Sequence, residues 1–164
     1  ELDPDLIQTP ERVMQAYKVL FSGYAQNAND VLKVKPAPSH QNDIILFDKI
    51  NFVSMCKHHI MPFYGNIQIA YIPRDNIIGF GSVQSLVKVF TGRLQIQEQI
   101  ISQIGKALSE SSLNPRGVFI KIEALHSCVF AKGDSNQPAV LKNIFTSGDF
   151  KKAESLEKLQ IILK

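Results

Sequence analysis

Between residues 118 and 129 the apolar residues fall on every second position. Val118, Ile120, Ile122 and Ala124 share one parity, and His126 and Cys128 continue it. Alternate side chains of a strand point to opposite faces, so this period lays an apolar row along one side of a sheet. Such a row has to be covered by a second layer. The chain supplies that layer as helices. Val83, Leu86, Val87 and Phe90 predict a helix over about 82–91. After a break at Gly92, the residues Ile96, Ile100, Ile104, Ala107 and Leu108 predict a longer one over about 94–111. Two β-like runs precede them, 44–53 and 66–72, the second with Ile67, Ile69 and Tyr71 alternating. Segments 73–76 and 114–117 read as turns.

At the start, Thr9-Pro10-Glu11-Arg12 reads as a helix opening, with Thr9 as N-cap and Pro10 at the first helical position. Val13, Ala16, Tyr17, Leu20 and Phe21 follow at helical spacing, and Gly23 ends the run. Segment 25–42 is polar and holds Pro36 and Pro38, which predicts a surface connection, with His40 a solvated residue in it. Beyond Lys132 the chain reads as loop until an amphipathic segment over 149–163. The order is helix, two strands, two helices, two strands if 118–132 folds back on itself, then a helix. That order is α+β, an antiparallel sheet with helices on one face, and no internal repeat is visible.

A length of 164 residues fits a single domain. It divides into an N-terminal helix and connection (1–42), a core carrying the site (43–133) and a C-terminal tail (134–164). Apolar residues at 45% and charged residues at 20% are ordinary for a globular protein. No run approaches the roughly 20 apolar residues needed to span a bilayer, so no membrane partner is expected. Residues 1–5 show no basic-then-apolar leader, so no signal peptide is expected and the cytoplasm is the expected compartment. Without an initial Met, these residues are compatible with a piece of a longer chain. The net charge is +3, with 18 basic residues scattered among 15 acidic ones, which argues against a nucleic-acid partner and suits a small anionic substrate.

Both cysteines have histidines close by. Cys56-Lys57-His58-His59 follows a strand, where a Cys and a His in a tight turn can reach one ion. A third ligand has to come from elsewhere, and Cys128 is the other cysteine available. Three protein ligands with an open position is the pattern of catalytic zinc. With His59 as ligand, His58 beside it and His126 two residues before Cys128 are left for acid–base work, since imidazole titrates near neutrality. The alternatives are a Cys56–Cys128 disulfide, an incidental Cys-x-x-His pair, and a half-buried structural His126. Spacing alone leaves a metal site and an incidental pair level.

The string Cys56-Lys57-His58-His59-Ile60-Met61-Pro62-Phe63-Tyr64-Gly65 resembles the Cys-x-His-His signature of the GTP cyclohydrolase I family, as does Ala124-Leu125-His126-Ser127-Cys128-Val129. Ala70-Tyr71-Ile72-Pro73, Ile78-Gly79 and Arg93-Leu94-Gln95-Ile96-Gln97-Glu98 also match, and Thr9-Pro10-Glu11-Arg12 with Phe21-Ser22-Gly23-Tyr24 resembles its opening helix. The resemblance runs over about residues 7–133, in order. It implies Cys56, His59 and Cys128 as ligands of Zn2+, and His58 as the acid that protonates the guanine imidazole ring during water attack at C8. It implies His126 as an aid to later proton transfers near the ribose, and Glu98 with Gln97 as the anchor of the pyrimidine edge. The activity implied is conversion of GTP and water to 7,8-dihydroneopterin triphosphate and formate. The fold implied is the tunnelling fold, whose ββααββ units join edge to edge into a barrel, usually a decamer of two pentamers, with active sites between subunits.

The likeness fails at basic positions of the family. Where the family has Leu-Ser-Lys-x-x-Arg for the triphosphate, this chain has Phe80-Gly81-Ser82-Val83-Gln84-Ser85, so serines stand in both basic positions. Lys132 replaces an Arg, losing the bidentate fork, and Gln15 replaces a Lys. Each lost cation removes a charge-assisted hydrogen bond worth about 1.5–3 kcal/mol. Ser82, Ser85, Lys132 and Arg12 remain as the phosphate contacts, with Lys88 and Arg93 as further cations. The competing readings are a zinc hydrolase acting on a purine or pterin with fewer phosphates, and an inactive ring-forming paralogue.

Overall fold

The period-two row becomes a strand in the middle of a sheet. The computed structural model describes residues 3–38, 43–131, 133 and 140–163. In chain order its elements are α1 (Thr9–Leu20), α2 (Ala28–Val31), β1 (Val34–Pro36), β2 (Ile45–Cys56), β3 (Pro62–Ile72) and β4 (Asn76–Ile78). There follow α3 (Phe80–Thr91), β5 (Leu94–Gln95), α4 (Gln97–Ser109), β6 (Gly117–His126), α5 (Ser127–Phe130), β7 (Val140–Gly148) and α6 (Ala153–Ile162). Five strands form one sheet in the order β5-β2-β3-β6-β7, antiparallel except for the short parallel pairing of β2 with β5. β1 and β4 make a separate antiparallel ribbon. The long elements thus follow the ββααββ order of the tunnelling fold.

Alternation sends Ile67, Ile69 and Tyr71 of β3 and Val118, Ile120, Ile122 and Ala124 of β6 to one face, into a core shared with α3 and α4. Val83, Leu86, Val87 and Phe90 of α3 and Ile100, Ile104 and Leu108 of α4 complete it. Each such side chain contributes about 1.5–3 kcal/mol by leaving water. The opposite parity places Ala70, Ile72 and Phe119 on the other face, where Phe150 and Leu159 cover them at one end of the sheet. The terminal helix α6 therefore lies across the sheet from α3 and α4. No described helix is long and apolar enough to cross a membrane.

Four local expectations are corrected. The last strand is not a fold-back of 118–132; it is β7, from the stretch expected to be loop, paired with β6 from Gly117↔Gly148 to Leu125↔Val140. The long strand stops at His126, and Cys128 sits on the helical turn α5. Thr9 is inside α1 rather than its cap: Gln8 holds the cap position without a side-chain bond to the helix backbone, after a short 3₁₀ turn capped by Asp3. Finally, the apolar stripe of α1 is only partly covered among the described residues: Leu20 and Phe21 are half-buried, whereas Val13, Ala16 and Tyr17 are exposed.

The arm carrying α1 is tied down through Arg93. Its guanidinium donates to the carbonyls of Gly23 (3.0 Å) and Gln26 (3.1 Å) and lies over the rings of Tyr24 and Phe90. The Tyr24 hydroxyl accepts from the Leu94 amide at 3.2 Å. Arg93 is thus a clamp within the fold rather than a free cation.

Gly65 of β3 meets β6 at Ala124, and a Cβ there would overlap the Glu123 carbonyl oxygen and lie 2.7 Å from the Ala124 Cα. Both obstacles are backbone. Gly65→Ala is expected to destabilise the protein by about 3 kcal/mol, the upper end of ordinary overpacking. Thermal denaturation reads this directly, and an unchanged midpoint would show that the two strands can part.

Candidate metal and catalytic site

β2 and β3 run antiparallel, so a tight turn must reverse the chain between Cys56 and Pro62. The Cys56 amide donates to the Met61 carbonyl and the Ile60 amide to the Cys56 carbonyl, each at 2.8 Å. The reversal puts Ile60 at φ 51°, a conformation a β-branched residue rarely adopts and one that costs about 1–3 kcal/mol. It also folds both histidines back onto the cysteine: Cys56 Sγ lies 3.9 Å from His58 Nδ1 and 3.8 Å from His59 Nδ1.

The second half arrives on β6. Its register pairs Phe63 with His126, which brings the end of β6 beside the start of β3 and delivers Cys128 on α5. One ligand atom each from Cys56, His59 and Cys128 then lies within 4.8 Å of the others. Tetrahedral zinc with bonds of about 2.3 Å to sulfur and 2.0–2.1 Å to nitrogen needs its ligand atoms about 3.5–3.8 Å apart. The observed set needs only a small contraction to reach that, and the donor chemistry, two thiols and an imidazole, suits a borderline-soft ion. Both cysteines are buried thiols, not halves of a disulfide. The trio fits a metal ion.

His58 is exposed beside the trio, its ring edge-on to that of His59 at 6.1 Å. His126 is half-buried and stacked on Phe63, with ring centroids 4.8 Å apart and planes 3° from parallel. Burial lowers its pKa, with the nearby Glu98 carboxylate partly opposing, so the neutral imidazole is favoured. Its Nε2 lies 2.9 Å from Oε1 of Gln97. Gln97 is fully buried, and its Nε2 donates to the Leu141 carbonyl (3.0 Å) and Asn143 Oδ1 (2.8 Å). Glu98, the next residue, is exposed in the first turn of α4. The carboxylate faces outward while the amide is committed inside.

The residues expected to hold phosphate are dispersed. Ser82 and Ser85 lie in the first turns of α3 and line an open hollow of about 450 Å³ with Asp30, Lys33 and Gly81. The Ser82 hydroxyl accepts from the Lys33 amide at 3.3 Å. Lys88 lines a different groove, with Lys49 and Asn51 of β2. Arg12 is bonded to Gln8 within α1, which packs chiefly on the turn Ser22–Ala25, so this chain alone does not bring it to the metal trio. Lys132 and His40 lie outside the described residues. Sequence reasoning missed Lys33 beside the serines and Asn143 behind Gln97. Asn143 sits in the strand mistaken for loop, and Lys33 carries no periodic signal.

A ββααββ sheet with a Cys–His–Cys trio at one end and two further histidines alongside defines a metal-competent α+β protein. The profile of the family described as GTP cyclohydrolase I matches residues 2–162. A GTP cyclohydrolase 1 of Campylobacter jejuni (strain RM1221) is 41% identical over 149 residues, covering 88% of this chain and 78% of that one. One of Rickettsia prowazekii (strain Madrid E) is 38% identical over 162 residues, 97% of this chain and 85% of that one. One of Chlorobaculum tepidum is 39% identical over 156 residues, covering 93% and 69%. The chain belongs to the GTP cyclohydrolase I family, a family of enzymes.

Proposed function

We propose that this protein is a zinc-dependent GTP cyclohydrolase I that converts GTP and water to 7,8-dihydroneopterin triphosphate and formate. The observation that carries the reading is the convergence of Cys56, His59 and Cys128 within 4.8 Å, in a chain of this family. A zinc ion held by these three residues would lower the pKa of water toward about 7 and so supply the nucleophile at neutral pH. His58, exposed beside the trio, donates a proton to the guanine imidazole ring as C8 is attacked. His126, whose pKa burial lowers, accepts and returns protons near the ribose. Glu98 anchors the pyrimidine edge through its outward carboxylate.

We read the working form as a ring of copies, two pentamers in a decamer. Support comes from β2, which among the described residues pairs with β5 only at Met55 and Cys56 and otherwise presents an open edge, and from β7 at the far side of the sheet. Open edges favour strand pairing between copies. The exposed part of the α1 stripe, Val13, Ala16 and Tyr17, has the same need for a partner, and Arg12 on the same helix would then face a neighbouring copy.

Serines at positions 82 and 85 favour a second reading, a substrate with fewer phosphates. Two hydroxyls and the first-turn amides of α3 offer an anion only partial charges, worth about 0.3–1 kcal/mol near a surface. A high KM for GTP and a weak preference for triphosphate over monophosphate are therefore expected. Ser82→Lys with Ser85→Arg should lower the KM for GTP while leaving kcat nearly unchanged. Formate release and pterin fluorescence, measured with GTP, GMP and guanosine in parallel, separate the two readings. Micromolar KM for GTP in the native protein, unchanged in the double variant, would show that other cations hold the phosphates.

A further inference from the structure

A fully buried carboxamide has to find partners for both its ends, because an unmet polar group inside a protein costs on the order of 1–3 kcal/mol. Around Gln97 the partners are unequal. Its Nε2 faces the backbone carbonyls of Leu141 at 3.0 Å and Ile122 at 3.5 Å, and Asn143 Oδ1 at 2.8 Å. A backbone carbonyl can only accept, so the NH2 end must be the one that points at β6 and β7. Turning the amide over would set oxygen against two carbonyl oxygens. The remaining end, Oε1, lies 2.9 Å from His126 Nε2, and an oxygen acceptor there requires a hydrogen on that nitrogen. Phe63, stacked at 3° on the other side, holds the ring plane.

We infer that Gln97 is the positioning residue of His126, its buried amide fixing the imidazole with hydrogen on Nε2 and leaving Nδ1 as the nitrogen available for proton transfer. The chain of bonds is Asn143 to Gln97 to His126, so β7 sets the tautomer of a residue on β6. Both amide hydrogens are engaged inside the fold, which leaves the Gln97 side chain no donor for a purine edge; recognition by side chain at this point falls to Glu98. The role of His126 in turnover rests on the functional reading above, whereas the tautomer is a property of the protein itself.

The test combines nitrogen-15 solid-state spectra of histidine-labelled protein with steady-state kinetics on GTP. The His126 signal is assigned by its loss in His126→Asn. Native protein should show hydrogen on Nε2 alone. Gln97→Met keeps length and volume but removes the acceptor. It should show both tautomers and lower kcat by roughly 10- to 100-fold, with KM for GTP and zinc content close to native. Asn143→Ala, which releases the amide without touching His126, should shift both readouts the same way by less, and carries the test if the first variant does not fold. Hydrogen on Nδ1 in native protein, or an unchanged tautomer in Gln97→Met, overturns the inference. A raised KM with kcat unchanged also overturns it, since that makes Gln97 a substrate contact. Native protein without GTP turnover counts against the functional reading alone, and the spectra still decide this one.

Discussion

Cys128→Ala is expected to lose both the metal and the activity. Zinc content should fall from one per chain to near zero, and formate release from GTP should fall to the assay background. The trio is assembled from two distant segments, and Cys128 is the whole contribution of the second one. Cys56 and His59 alone form a short chelate on a solvent-facing turn. Two ligands from one turn hold zinc far more weakly than three that close around it, because water must replace the missing thiolate. The substitution removes one small buried side chain, at a cost of about 1 kcal/mol, so the protein should still fold. Metal analysis after gel filtration, with a thermal scan as control, gives the answer. Undiminished zinc in a folded variant would take Cys128 out of the ligand set.

His58→Ala is expected to separate metal binding from chemistry. His58 and His59 lie almost equally close to Cys56 Sγ, at 3.9 and 3.8 Å, so proximity to that cysteine does not choose between them. The choice is made by Cys128, whose sulfur groups with His59. A proton donor that is not a ligand can be removed without loss of the ion, and general acid catalysis is worth roughly 10²–10⁴-fold. The variant should therefore keep one zinc per chain and lose that factor in kcat. His59→Ala should instead lose the zinc. If the two variants behave the other way round, the roles of the neighbouring histidines are exchanged.

The elements that built the core were legible because their period was clean. Ile67, Ile69 and Tyr71, the row from Val118 to Ala124, and the stripes of α3 and α4 each bury one face, and a buried face writes itself into the sequence. β7 was missed because it is the outermost strand: Val140, Leu141 and Ile144 are exposed, so its residues carry no apolar-in, polar-out alternation. Strand parity placed Cys128 on the right side of the sheet but could not see that the chain coils after His126. The stripe of α1 was real, yet the described residues cover only its Leu20 and Phe21 end. Within the site, the cysteines and histidines were legible because few residue types do that chemistry. Gln97 was not. A Gln-Glu pair opening a helix reads as surface, and only the meeting of Leu141 and Ile122 carbonyls over it makes an internal amide necessary there. Arg93 misled in the opposite sense, a cation near the expected phosphate region that serves two carbonyls and two rings instead.

In the proposed function, GTP ring opening depends on zinc held by Cys56, His59 and Cys128. The most direct measurement follows formate and pterin together from GTP with native protein, then with protein stripped by a chelator, then with zinc restored. Equal amounts of formate and pterin, lost on stripping and regained with one zinc per chain, are the predicted result. Ring opening that persists in metal-free protein, or a zinc-loaded protein that releases no formate from GTP, GMP or guanosine, would contradict it.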